Sequence, residues 1–462
     1  MSDSRVAPMA SGHVEVAAAA NGTPPTPVHN RPSHVARKMR AMTSRLRPRI
    51  TCPHCWDKFA PEQILWVSSH AELMGDRVLG PEAPSRFLPT RFNVQGQAID
   101  ARGMACQTLA CPRCHLPIAR DLIESDPLFI SIIGVPSSGK SYFLASMTWQ
   151  LRRVLPANFH VTFGDADTVS NRSLNEYEET LFLSDARQEL VAIRKTELQG
   201  ELYDQIRLGQ QIMSLPRPFL FTLRPTSSHP RASSSTEVSR VLCLYDNAGE
   251  HFQPGMDSAS APVTQHLAKS RVLMFLYDPT QDVRFREKLR TFSQDPQLSS
   301  TARAQRQETV LTEAALRVRR HAGLGSAQKL DRPLIVIVAK SDVWAPLVEA
   351  DLVSEPLVSI PNHQQAMVDV GRIERTSAIL RAMMRHYAPE FVAAAEDFCQ
   401  HVIYIPVSSL GQAPQEDPQT KALGVRPGDI HPRWVTVPIL YTFAKWSVGL
   451  IGGVAAAPAT AQ

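Results

Sequence analysis

The string Gly134-Val-Pro-Ser-Ser-Gly-Lys-Ser141 fits G-x-x-x-x-G-K-[ST] in full. It follows the apolar run Leu128–Ile133 and leads into Tyr142-Phe-Leu-Ala-Ser-Met147. That order demands a strand, a phosphate-binding loop and a helix. The two glycines let successive amides turn toward phosphate oxygens, and the helix N-terminus adds partial positive charge. Lys140 is placed for the β- and γ-phosphates, and Ser141 offers a hydroxyl to Mg²⁺. Gly134, Ser137, Ser138, Gly139, Lys140, Ser141 and Tyr142 are therefore candidate nucleotide-binding residues, with Lys140 also a candidate catalytic residue. Few folds place a phosphate loop between a buried strand and a helix, so the rest of the chain is read against a largely parallel α/β sheet.

Five further apolar runs support that reading: 219–223, 241–246, 272–277, 334–339 and 402–407. Helical or loop stretches separate them, as crossovers between parallel strands require. A short strand is expected at His160–Phe163, and a helix carrying Leu174, Tyr177 and Leu181. The Ser/Pro-rich stretch 225–236 reads as a mobile loop, and Arg303–Arg320 as a polar, solvated helical stretch. The expected organisation is a disordered basic tail over 1–50, a zinc-ribbon-like unit with an insertion over 51–125, and a nucleotide-binding domain over 126–450. That domain has insertions at 155–216 and 282–330, and a flexible tail follows at 451–462.

The net charge of +5 is concentrated at the start: residues 1–50 carry +6 and leave −1 for everything after them. A body this close to neutral has no footprint of a nucleic-acid platform. No continuous apolar core opens the chain, so a secretory signal is not expected. Pro438, Lys445 and Gly452-Gly453 interrupt the apolar C-terminal stretch, which reads as a closing core helix and not as a membrane anchor. A cytoplasmic protein is expected.

Seven cysteines include two knuckles of identical form, Cys52-Pro-His-Cys55 and Cys111-Pro-Arg-Cys114. Each Cys-x-x-Cys turn brings two thiolates to one side of a bend, and two turns complete a tetrahedral site suited to structural Zn²⁺. The spacing is wide, so residues 56–110 must form an insertion, with strands carrying Phe87, Phe92, Val94 and Ile99. Cys106 and His115 are reserve ligands, and Cys243 and Cys399 read as packing residues.

Three strings after the phosphate loop each close an apolar strand: Leu242-Cys-Leu-Tyr-Asp-Asn-Ala-Gly-Glu250, Leu334-Ile-Val-Ile-Val-Ala-Lys-Ser-Asp342 and Ile403-Tyr-Ile-Pro-Val-Ser-Ser-Leu410. Open parallel sheets bind ligands at such ends. With these motifs in this order, the chain resembles the Ras-like, translation-factor-related P-loop GTPases over residues 128–411. With the cysteine unit preceding them, it is similar, more narrowly, to bacterial double-GTPase proteins of signalling and conflict systems. The resemblance implies that Asp246 holds Mg²⁺ and Gly249 meets the γ-phosphate. It implies that Lys340 lies along the base, Asp342 reads guanine, and Ser408, Ser409 and Leu410 close the base pocket.

Three departures follow. Ala339 stands where the family's base-reading motif has Asn. Glu250 and His251 follow D-x-x-G where relatives carry a water-orienting Gln, which makes both candidate catalytic residues. The Mg²⁺-closing threonine of the first switch has three candidates, Ser214, Thr222 and Thr226. The function expected is a Mg²⁺-dependent GTP-binding and GTP-hydrolysing switch with slow intrinsic turnover. A protein partner or self-association would speed it, with an arginine from Arg303–Arg320 acting across a dimer as one route. The alternatives are a nucleotide-holding scaffold acting through its zinc unit, and an ATPase.

Overall fold

A computed structural model describes residues 46–193, 203–247, 265–299, 306–359, 365–447 and 449–455. The expected tail over 1–50 falls almost wholly outside them. The apolar runs become strands of one seven-stranded sheet: β1 (Asp126–Ile133), β2 (Val161–Asp165), β3 (Phe219–Pro225), β4 (Arg240–Asp246), β5 (Val272–Tyr277), β6 (Leu334–Val338) and β7 (Val402–Pro406). They lie in the order β2-β3-β4-β1-β5-β6-β7. Strands β4, β1, β5, β6 and β7 run parallel, and β3 is antiparallel to both β2 and β4. From β1 the chain travels to the far edge, works inward to β4, then crosses β1 and builds outward through β5. The carboxyl end of β1, between β4 and β5, is thus the point where the order reverses and a ligand crevice opens.

The strands are apolar along their length because both faces are covered. Toward one face point Leu128, Ile130 and Ile132 of β1, Leu242 and Leu244 of β4, and Met274 of β5. They meet α1 (Lys140–Phe159), whose Phe143, Met147, Leu151, Leu155 and Phe159 recur every four residues. The opposite face is shared. Over β5, β6 and β7 it packs on α3 (Gln307–Ala322) and α5 (Pro389–Phe398), which follow a short α2 (Arg172–Glu178) and α4 (Val370–Tyr387) in the chain. Over β1, β3 and β4 it packs on the cysteine-bearing unit.

The helix expected around Leu174 is α2, continued by a π turn at Glu179–Leu183. Three expectations need correction. The stretch 225–236 forms short helical turns at Ala232–Ser234 and Ser235–Val238, anchored by a bond between His229 Nε2 and Leu450 O. The Arg-rich helix α3 is not wholly solvated: Arg317 lies inside, with Nε donating to Glu313 Oε1 at 2.8 Å. After the closing helix α6 (Val437–Trp446), Gly453–Val454 form a strand parallel to Ala366–Asp369, because Gly452 O accepts from Val368 N at 3.0 Å. The tail expected to be flexible from 451 is therefore paired through Val454, and residues 456–462 lie outside the described ones. Among the described residues no helix is long and apolar enough to cross a membrane.

Candidate functional site

The phosphate loop spans the six residues between the end of β1 and the start of α1. A Cβ on Gly134 would sit 2.9 Å from Leu276 O, so no side chain fits between this loop and β5. Gly139 caps α1 at φ +93°, a left-handed conformation that favours glycine, and open space lies beside it. Lys140 folds back over the loop, its Nζ donating to Gly134 O and Val135 O at 3.0 Å each.

Asp246 ends β4 beside it. The Oδ1 of Asp246 is buried without a hydrogen-bond partner, as is Ser138 Oγ. Burial raises the Asp246 carboxyl to about 6, with the Lys140 charge opposing the rise. Buried polar atoms are nearly always paired, so an unpaired one in the phosphate loop and another at the end of the neighbouring strand are consistent with a place for a bound group. Ser141 and Asp246 carry a hydroxyl and a carboxylate, hard oxygen donors of the kind that Mg²⁺ takes.

The residues expected to read the base follow β6 and β7. Lys340 takes a left-handed conformation and its Nζ donates to Asp278 Oδ2 at 2.7 Å and Thr280 Oγ1 at 2.9 Å. Asp342 Oδ1 accepts from Ser408 Oγ, which itself accepts from Gly411 N at 2.8 Å. Ser409 O accepts from Ser146 Oγ of α1, and Leu410 O accepts from His431 N. Ala339, at the place of the missing Asn, is buried. Its carbonyl accepts from Trp344 Nε1 at 2.7 Å, a different brace for the same loop.

One cavity of about 330 Å³ joins the two ends, lined by 136–142, Ala339, Lys340, Asp342 and Ser408–Leu410. Of the sequence-expected loop and base residues among the described ones, all line this cavity except Gly134 and Asp246. Gly249, Glu250 and His251 lie outside the described residues. Sequence reading missed other lining residues: Ile193, tied to α1 through Ile193 N donating to Tyr142 OH at 3.3 Å, and Asn247, Asp295 and Gln297. Only Asn247 carried a signal, its place inside D-x-x-G.

None of Ser214, Thr222 and Thr226 lines the cavity. The reason is the direction of β3: running antiparallel, it points its end away from the phosphate loop. Thr226 follows that far end, Thr222 donates to Gly164 O in mid-sheet, and Ser214 belongs to the hairpin Tyr203–Leu208 with Gln211–Pro216.

The four knuckle cysteines form a second centre. Their sulfurs all lie within 4.8 Å of one another and all four residues are buried. The Cys52–Cys114 and Cys55–Cys111 pairs are 3.7 Å apart. A tetrahedron with metal–sulfur bonds of about 2.3 Å has an edge of about 3.8 Å. The knuckles repeat each other in detail. His54 N donates to Cys52 Sγ and Arg113 N to Cys111 Sγ, both at 3.4 Å, and Trp56 and His115 each follow at positive φ. This arrangement can hold Zn²⁺. The reserve ligands stand apart from it: His115 Nδ1 is bound to Asp76 Oδ2 at 2.7 Å, and Cys106 Sγ faces Asp100.

The knuckles touch the sheet. Trp56 Nε1 donates to Tyr245 OH at 3.1 Å, and the Tyr245 hydroxyl donates to Pro53 O. Tyr245, the residue before Asp246, stacks on His266 with ring centres 4.7 Å apart. His266 is bonded through its ring to Asn247 Oδ1 at 2.8 Å and to Ser131 Oγ at 2.6 Å.

No protein-family model matches the chain. No curated protein matches it either. Solved structures give distant likenesses. The sup35 structure complexed with GDP matches at 14% identity, 63% of this chain, 39% of that chain and a TM-score of 0.22. The Saccharomyces cerevisiae Ski7 GTPase-like domain bound to GTP matches at 13% identity, 71% and 52% coverage, and a TM-score of 0.24. The chain spans between about two fifths and one half of the length of these two structures.

Proposed function

We propose that the chain is a Mg²⁺-dependent GTP-binding protein that hydrolyses GTP to GDP and phosphate, acting as a cytoplasmic switch, with a structural zinc in its cysteine unit. The observation that carries this reading is the buried, unpartnered Asp246 oxygen beside Lys140. Lys140 lines one end of a cavity whose other end is built from Lys340, Asp342 and Ser408, and Asp246 ends the strand beside the loop that carries Lys140. In this reading Lys140 leaves its carbonyl partners for the β- and γ-oxygens, where charge-assisted bonds replace neutral ones. Ser141 and Asp246 would hold Mg²⁺, which would neutralise phosphate charge. Asp342 accepts from the ring N–H and exocyclic amine of guanine, with Ser408 fixing its orientation. Glu250 or His251 orients the attacking water. Cys52, Cys55, Cys111 and Cys114 hold the zinc with no open position, so that metal takes no part in the chemistry.

Side-by-side binding and turnover of GTP and ATP, with Mg²⁺ and with chelator, tests the proposal. Mg²⁺-dependent binding of GTP is expected, lost in Lys140→Ala and shifted toward xanthine nucleotides in Asp342→Asn. A folded Lys140→Ala that binds GTP as the parent does would refute the site. Equal affinity for ATP would refute the base assignment, and tight binding with no phosphate release at any protein concentration would favour the scaffold alternative.

A further inference from the structure

The cavity has a wall that none of the nucleotide motifs supplies. After β5 and the short helix Val283–Leu289, the chain turns back at Asp295 and comes to rest against the base-reading loop. Arg290 Nε donates to Leu298 O at 2.8 Å and pins the return. Asp295 opens the helical turn Pro296–Ser299. Its backbone oxygen accepts from Leu298 N at 2.9 Å, and its Oδ1 accepts from Gln297 N at 2.8 Å. That cap occupies one carboxylate oxygen. The other, Oδ2, is buried and has no hydrogen-bond partner, although Asp295 is only 3% exposed and lines the cavity beside Lys340 and Asp342. Gln297 lines the same wall with its Oε1 likewise unpartnered.

A cap explains half of this carboxylate and leaves the other half costly. Burial raises the Asp295 carboxyl, Lys340 opposes the rise, and Asp342 and Asp278 reinforce it. The two unpartnered atoms of this wall, Asp295 Oδ2 and Gln297 Oε1, are both acceptors. What relieves it is a neutral N–H or O–H donor on whatever fills the cavity.

Resting on the nucleotide reading of that cavity, we propose that Asp295 determines specificity: its free oxygen accepts a hydrogen bond from the nucleoside, from either the guanine 2-amino group or a ribose hydroxyl. Asp295 thereby adds a second carboxylate to Asp342 at a site where Ala339 has replaced the usual Asn.

Equilibrium binding to the full chain in Mg²⁺ separates the two donors. The ligands are GTP, ITP, which lacks the 2-amino group, and 2′-deoxy- and 3′-deoxy-GTP. The proteins are the parent, Asp295→Ala and Asp295→Asn. Asn is as good a cap as Asp, so it keeps the turn while setting an amide donor where the acceptor was. The parent should discriminate against one analogue by about 5- to 150-fold, the range for leaving a buried acceptor unmet, and both variants should shrink that ratio. Since Asp342 also reads the 2-amino group, the ITP arm is judged by the change of ratio between parent and variant. A changed GTP/ITP ratio assigns the amine, and a changed GTP/deoxy ratio assigns the hydroxyl. Ratios that stay within twofold of the parent in Asp295→Asn, with GTP still bound, overturn the role of Asp295 alone. A parent that binds none of the four overturns the nucleotide reading along with it.

Discussion

Asp246 is buried where the fold disfavours a charge on its carboxyl. Its carboxyl is raised to about 6, mainly by burial, from an unfolded value near 3.9. An acid held above its unfolded value takes up a proton on folding. The cost of its ionisation is therefore absent below about pH 4, grows with pH, and is complete above about pH 6, where it amounts to about 3 kcal/mol. In chelator and without nucleotide, Asp246→Asn should thus stabilise the protein at pH 7 by up to about 3 kcal/mol, and at pH 4 hardly at all. Urea melts at the two pH values check this, and an equal gain at both would mean that packing, not charge, sets the difference. The residue itself was legible because D-x-x-G fixes its neighbours in the chain. Asp295 and Tyr245 were not, since what they do depends on residues that only the fold brings near.

At the scale of elements, the strands were readable because burial on both faces writes a continuous apolar run into each. Their existence and bounds follow closely from the sequence. Direction does not: an apolar run looks the same in a parallel and an antiparallel neighbour, and the reversal of β3 carries Thr226 away from the phosphate loop. Helix α3 teaches a similar point. Its arginines read as a solvated face, yet position 317 falls on the stripe that packs against β5 and β6, among Val310, Leu311, Ala314 and Val318. There the guanidinium is retained by its bond to Glu313. Arg317→Ala empties a buried side-chain site beside the partly exposed Glu313 and should cost about 2–3 kcal/mol, mostly through lost packing. Arg172→Ala, which breaks an exposed i,i+4 pair with Glu176 on α2, should cost about 0.5 kcal/mol or less. Comparable thermal midpoints for the two variants would show that Arg317 has another route to water.

Across the whole molecule, the cysteine unit serves as a layer of the sheet, where the sequence suggested a separate unit preceding it. The knuckles were visible as a motif. Their dependence on the sheet was not, because alternate apolar positions in a strand call for cover without saying what supplies it. Phe129, Leu220, Val241, Cys243 and Tyr245 share one core with Trp56, Trp66, Leu109 and the four cysteines. A chain beginning at Asp126 should therefore aggregate, and a soluble, monomeric one that binds nucleotide would show that the face tolerates exposure. Within the full chain, Trp56→Ala should cost about 3–5 kcal/mol while leaving the metal content unchanged, since Trp56 packs but does not ligate. Cys52→Ser should lose the zinc, measured by elemental analysis.

The bond between Trp56 and Tyr245 joins residues 189 positions apart in the chain. During synthesis at about 5–20 residues per second, the tryptophan emerges about 10–40 s before the tyrosine that completes its surroundings. Both knuckles are finished by Cys114, long before β4 exists. For that interval the unit has its own short strands and its four thiols, but not the sheet face that covers Trp56. Metal capture on the ribosome would then hold the N-terminal layer in shape while it waits for its sheet.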